Sequence, residues 1–208
     1  FAHSEKVTLA SPRSSKLTHV GPYAFEGMSE LKTIIFHEDA PLENLESGVF
    51  YLDKNLETLI LPQGLKTIEY LAMSGTKLIS LHIGETLTTI DETSLIGMQN
   101  LDSITISEDN STYEVIDDVL YDETMDTLVH LPMQKEITNL TIPESVDTIY
   151  YDSLLLNPNL ETVTFEGSVP PDLLGEDITY PFEFIVPEDS LDVYEEAYVG
   201  AMITTYQD

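Results

Sequence analysis

Strings of the form L-x-x-[LIV]-x-[LIF] begin at Leu31, Leu56, Leu78, Leu101, Ile137 and Leu160, in steps of 25, 22, 23, 36 and 23 residues. No other feature of this 208-residue chain constrains the fold as strongly. A coil of that length cannot bury its own apolar face, so neighbouring coils must stack and share one core. A second hook recurs between the strings, at Leu17-x-x-Val20, Leu65-x-x-Ile68, Leu87-x-x-Ile90 and Val146-x-x-Ile149. Behind it comes a small-plus-apolar pair, Ala24-Phe25, Ala72-Met73 or Ser94-Leu95, and then a Gly or Asn turn.

Within Leu101-Asp102-Ser103-Ile104-Thr105-Ile106 the apolar residues alternate with polar ones, the period of a strand with one buried face. One such strand per coil, stacked in parallel, predicts a long sheet. Burying each Leu or Ile in it contributes about 1.5–3 kcal/mol. Amphipathic helices are the competing reading, but the turns recur too closely to leave room for three-turn helices. The whole chain, 1–208, therefore reads as a single solenoid with repeats starting near Val7, Leu31, Leu56, Leu78, Leu101, Ile137 and Leu160. It is mostly β, with a parallel sheet on one face and short turns or helical segments elsewhere.

Two stretches carry a family resemblance. Ile137-Thr138-Asn139-Leu140-Thr141-Ile142-Pro143-Glu144-Ser145-Val146-Asp147-Thr148-Ile149 and Val20-Gly21-Pro22-Tyr23-Ala24-Phe25-Glu26-Gly27 resemble the BspA-like type of leucine-rich repeat. That pattern runs roughly L-x-x-I-x-I-P-x-x-V-x-x-I-x-x-x-A-F-x-x-C. The family's frequent Cys is replaced throughout, and Ala-Phe degrades to Ala72-Met73, Ser94-Leu95 and Leu154-Leu155. The 36-residue step exceeds its neighbours by 13 and contains Tyr113 to Tyr121, two apolar runs around Asp117-Asp118. This predicts an inserted β-hairpin at about 110–131, and it looks like a β-meander insertion of the same family. From about 166 to 208 the chain resembles the family's closing strand and capping helix, with Asp189 or Ser190 as helix N-cap.

The charge excludes whole classes of partner. Eight Lys and Arg against 38 Asp and Glu give a net −30, which repels nucleic acid and anionic membrane surfaces. Disorder fails as an explanation, because 42% of the residues are hydrophobic and regularly spaced. No apolar run reaches the roughly 18 residues of a membrane span, so no direct membrane insertion is expected. The chain opens at Phe1 without a basic-then-apolar leader, and a signal peptide is taken to have been removed. There is no Cys, hence no disulfide and no thiol nucleophile. The start is basic, with Lys6, Arg13 and Lys16 against Glu5, whereas residues 136–208 hold sixteen acids and no Lys or Arg. Solubility explains that asymmetry, and so would a basic start that meets an acidic segment of a longer parent or a neighbouring copy.

Catalytic constellations are missing. The five histidines, at 3, 19, 37, 82 and 130, form no His-x-His or His-x-x-x-His pair, and no phosphate loop or G-x-S-x-G elbow occurs. Neither an enzyme nor a cofactor is expected. Residues 108–126 hold eight acids, enough to raise a calcium site, but without a D-x-D-x-D-G loop. Two N-x-[ST] triplets, at Asn110 and Asn139, matter only in a secretory eukaryotic context.

The outward sheet positions are Thr33, Ile35, Thr58, Ile60, Ser80, His82, Ser103, Thr105, Asn139, Thr141, Thr162 and Thr164. None of the twelve carries a formal charge. β propensity alone would also place Thr and Ser there. The resemblance implies a cell-surface, extracellular recognition and adhesion module that contacts a host or matrix protein along this face. Thr58, Ser80, His82, Ser103, Thr105, Thr141 and Thr164 are the candidate contact residues. A carbohydrate-binding module is the alternative, resting on Tyr150-Tyr151 and the Tyr194, Tyr198 pair for sugar stacking. A spacer with no ligand of its own is a third reading, and the oligomeric state stays open.

Overall fold

The computed structural model describes residues 6–9, 17–175 and 179–207, so the basic start with Arg13 and Lys16 lies outside the described residues. The N-terminal coils supply β1 (Lys6–Leu9), β2 (Thr33–Phe36), β3 (Asn44–Leu45), β4 (Thr58–Ile60), β5 (Thr67–Ile68), β6 (Ser80–Ile83), β7 (Thr89–Ile90) and β8 (Ser103–Ile106). The long step supplies β9 (Tyr113–Ile116), β10 (Val119–Asp122) and β11 (Thr127–His130). Next come β12 (Asn139–Ile142), β13 (Thr148–Tyr150) and helix α1 (Tyr151–Leu155). The chain closes with β14 (Thr162–Phe165), β15 (Asp172–Leu174), β16 (Glu183–Pro187), helix α2 (Leu191–Ala197) and β17 (Met202–Tyr206).

The strings stack in parallel and in register, as in Ile34 opposite Leu59, Leu81 opposite Ile104 and Leu140 opposite Val163. Alternation does its work here. Ile34, Leu81, Ile104, Leu140 and Val163 are buried, and all twelve outward positions are half-buried or exposed. Coil-to-coil bonds fix each rung at the string's start: the Thr58 N–H donates to Lys32 O at 3.1 Å and the Asp102 N–H to Ile79 O at 3.0 Å.

Two expectations are corrected. The repeat predicts one strand per coil, but the hook makes a second: β3, β5 and β7 form a short parallel sheet of their own. Ile68 and Ile90 drive it, since burying them turns Thr67 and Thr89 outward, where their backbones pair. The string sheet is also not continuous. Among the described residues it falls into three blocks, β1-β2-β4, β6-β8 and β12-β14-β16-β17.

The long step explains the second break. β9 and β10 run antiparallel around Asp117 and Asp118, whose φ angles of 51° and 67° make the left-handed two-residue turn that Asp tolerates. β11 pairs antiparallel with β10 and parallel with β13, so the insertion is spliced into the second sheet. β10 is buried on both faces. Leu120 packs into the N-terminal core, and Val119 and Tyr121 pack into the C-terminal one. The C-terminal core closes under an aromatic lid in which Tyr194 and Tyr198 stack about Phe165 and Phe184. Ser190 does occupy the N-cap of α2 but makes no side-chain capping bond, because a 3-10 turn at Glu188–Ser190 leads straight into the helix.

Candidate functional site

The first break in the string sheet, between β4 and β6, opens a cleft of about 650 Å³. Its walls are Thr58, Ile60 and Leu61 on one side and Ile79, Ser80 and His82 on the other. At one end the coils are held by the Lys77 N–H donating to Leu56 O at 3.0 Å. At the other, the Thr86 hydroxyl donates to Gln63 O and Leu65 O at 2.7 and 2.8 Å. The strands are pinned at both ends and parted in the middle.

The parting exposes two kinds of group. Leu59 and Leu61 occupy inward positions yet are only partly buried, whereas Ile34 and Leu81 at matching places are 0% and 2% exposed. Above them Ile60 and Ile79 are 48% and 53% exposed. Backbone edges are open as well. Thr58 bonds β2, so the alternation of a parallel strand directs Leu59 towards β6. Ile79 O and Ile83 O accept from Asp102 and Ser107 on the β8 side, so Ser80 and His82 present N–H and C=O back towards β4. Among the described residues no ladder pairing joins the two strands.

Three of the seven candidate contact residues, Thr58, Ser80 and His82, line this cleft. Ser103 and Thr105 sit beside them on β8, opposite Ser80 and His82, and His82 Nδ1 lies 3.0 Å from Thr105 Oγ1 in a hydrogen bond. Thr141 and Thr164 face each other across β12 and β14, in the block beyond the insertion. The structure therefore brings five together and leaves two apart. Sequence reading passed over Ile79. At the second place of each string the chain has Lys32, Glu57, Ile79, Asp102, Thr138 and Glu161, and Ile79 is the single apolar residue among them. That string also follows the shortest step, 22 residues.

The other candidate chemistries look different in three dimensions. Tyr194 and Tyr198 are 0% and 4% exposed, and their hydroxyls donate to Gly167 O and Pro171 O, so this pair is core and no sugar platform. The side chain of Tyr151 lies outside the described residues. Tyr150 and Tyr70 line a second cavity of about 440 Å³ together with His130 and Ser153. His130 Nε2 and Ser153 Oγ are both buried and unpartnered, so they are not joined to each other as base and nucleophile. Burial drives the His130 pKa down to about 4 and keeps the ring neutral. In the acidic insertion the carboxylates serve the turns: Asp118 pairs with Lys135, and Asp122 accepts the N–H groups of Asp126 and Thr127 at 3.0 and 2.9 Å. Among the described residues no three His, Asp or Glu side chains converge to hold a metal. No helix among them is long and apolar enough to cross a membrane.

Comparison with known proteins follows the repeat. Residues 1–125 match the model of the BspA type leucine rich repeat region, in six copies. A leucine-rich repeat protein from Eubacterium ventriosum shares the fold with a TM-score of 0.68 at 17% identity, over 98% of this chain and 56% of that one. The chain thus spans just over half of that relative. The pneumococcal vaccine antigen PcpA aligns over 98% of this chain and 77% of its own, with a TM-score of 0.55 and 14% identity. A leucine rich cell surface protein from Faecalibacterium prausnitzii aligns over 92% and 76%, with a TM-score of 0.55 and 17% identity. Among curated proteins none matches the chain significantly in sequence.

Proposed function

The chain belongs to the BspA-type leucine-rich repeat family, and from that premise we propose that it is an extracellular recognition and adhesion module of a bacterial surface protein. Its ligand is a protein of the host or the matrix, held along the outward face of the string sheet. One observation carries this reading: a run of outward, uncharged side chains on a −30 chain leads into a cleft that combines partly open apolar side chains with open backbone edges. Thr58, Ser80, His82, Ser103 and Thr105 are the contacts closest to that cleft, with Thr141 and Thr164 extending the surface beyond the insertion. A stacked solenoid holds these positions without ordering them on binding, which lowers the entropic cost of association. The neighbour from Faecalibacterium, a cell surface protein, supports the location.

Biolayer interferometry against purified extracellular-matrix proteins tests the proposal, with a Ser80→Glu/Ser103→Glu variant and a remote Glu195→Gln control. Burying an unpaired Glu against a partner costs roughly 2–5 kcal/mol, so affinity should drop by roughly 30-fold or more. Melting should not change, because both hydroxyls lie on the outward face. Unaltered affinity in the double variant would remove the sheet face from the recognition role.

A further inference from the structure

The parted strands say more about the ligand than the face as a whole does. At the second break the inserted segment follows and Ile106 alone of the inward β8 residues is partly buried; between β4 and β6 both Leu59 and Leu61 are left partly open. The opening runs along residues 57–63, roughly 20 Å at the rise of an extended chain. Its volume of about 650 Å³ falls within the range of pockets that enclose a ligand. Along its length it offers what an extended backbone needs, namely the N–H and C=O of Leu59 from one side and those of Ser80 and His82 from the other. A lipid tail or other hydrocarbon would fill the space and leave these groups unbonded, which is costly.

Charge narrows the choice further. Glu57 stands at the end pinned by the Lys77 N–H, Glu85 at the end pinned by Thr86, and among the described residues no Lys or Arg lines the cleft. Between the two carboxylates the walls carry no formal charge, and they mix Thr58, Ser80 and His82 with the apolar Ile60, Leu61 and Ile79.

We infer that this split receives an extended peptide segment of the protein ligand, basic at both ends and apolar between, which adds to the open edges of β4 and β6 as a strand. The inference rests on the recognition role proposed above and names the segment that role requires. Strand addition takes affinity from the main chain and specificity from alternate side chains. Lys or Arg at the peptide's ends would meet Glu57 and Glu85, and an apolar residue between them would cover Leu59 and Leu61. Rim charges of this kind act chiefly on the rate of encounter.

The test uses the full chain and a fluorescent heptapeptide in which Thr alternates with Val between two terminal Lys residues, followed by fluorescence anisotropy. Three companions share its composition or nearly so: one N-methylated at alternate amides, one with Glu at both ends, and a shuffled one with Pro at its centre. The inference predicts saturable binding of the first peptide. N-methylation should weaken it by roughly tenfold, the value of two or three net backbone hydrogen bonds. The Glu-ended and Pro peptides should bind more weakly still, and Ile79→Glu should abolish binding while leaving the melting curve intact, as suits a residue 53% exposed. Equal binding of the N-methylated peptide would overturn strand addition. So would no binding of the first peptide up to about 1 mM, and so would a dimer that Ile79→Glu dissociates, since a second copy would then own the split. If matrix-protein binding is lost in Ser80→Glu/Ser103→Glu but survives Ile79→Glu, the face recognises its ligand and the split does not. If the peptide binds and no matrix protein does, the split stands and the proposed class of partner falls.

Discussion

Asp53 and His130 should make the stability of this chain depend on pH in opposite senses. Asp53 is fully buried. Its Oδ1 accepts the Met28 N–H at 2.6 Å, and its Oδ2 has no partner. Desolvation raises its pKa from 3.8 to about 7, with Glu26 adding to the rise and the Met28 bond opposing it. A folded pKa above the unfolded one means stability that is complete below pH 3.8 and lost as pH climbs through 7. At 1.36 kcal/mol per unit the loss amounts to about 4 kcal/mol. His130 behaves inversely. Its folded pKa of about 4 lies below the usual 6.5, so its contribution is complete above pH 6.5 and is lost as pH falls through 4. That loss is about 3 kcal/mol. Between pH 4 and 6.5 the two slopes cancel. Asp53→Asn removes one of them. Its stability relative to the parent, from urea melts by circular dichroism at pH 4.5 to 7.5 and constant salt, should rise by about 1.4 kcal/mol per pH unit. It should flatten once the pH passes the folded pKa of Asp53. His130→Phe should give the opposite slope below 6.5 and none above. Taking differences cancels the other carboxylates. A pH-independent difference for Asp53→Asn would refute the placement of an ionisable group in that core.

Gly48→Ala should destabilise by about 2 kcal/mol or more, because a left-handed residue with a Cβ costs roughly 1–2 kcal/mol. At φ +62° that Cβ would also run into the Tyr23 ring. Gly64→Ala, which meets nothing within 4 Å, is the neutral control in the same thermal melts. Leu120→Ala should cost about 2–5 kcal/mol, and tyrosine fluorescence and circular dichroism should cease to report one coincident transition, since Leu120 lies where the two cores meet. For any basic protein ligand, surface plasmon resonance should show the association rate falling with added NaCl and the dissociation rate nearly constant. The acidic field would steer the encounter, whereas the proposed contact positions carry no formal charge. A salt effect confined to dissociation would contradict that division.

The repeat made the string strands legible because Leu31, Leu56, Leu78, Leu101, Ile137 and Leu160 begin coils of nearly one length, and parallel stacking then follows from burial alone. The second sheet was harder to see. Thr67-Ile68 and Thr89-Ile90 are two residues long, too short for a period of two to register. Of the candidate contacts, Thr58, Ser80 and His82 fell at the cleft because outward position follows from alternation, which a string displays. Thr141 and Thr164 obey the same rule and still lie apart, since alternation says which way a side chain points and nothing about whether neighbouring coils remain joined. Asp53 gave no signal. Its Asp-Lys-Asn setting reads as an exposed turn, and only the stacking of Met28 over it shows the carboxyl to be buried.

A solenoid can carry such a split where a globular sheet could not. Each coil touches only its neighbours, so stability is close to a sum of coil terms and interface terms, and a weakened interface costs locally. Here that interface stays fastened by Lys77 to Leu56 at one end and by Thr86 to Gln63 and Leu65 at the other, and the second sheet runs on unbroken beneath it through β3, β5 and β7. The coil is held by its hook while its string edge stays free. Unfilled edges in a parallel sheet are normally an aggregation hazard. In this chain they are recessed between two pinned ends and flanked by Glu57 and Glu85, which admits a single narrow strand of opposite charge and turns away another acidic solenoid. The same negative charge that repels polyanions would thus act at the cleft as a selector of partner.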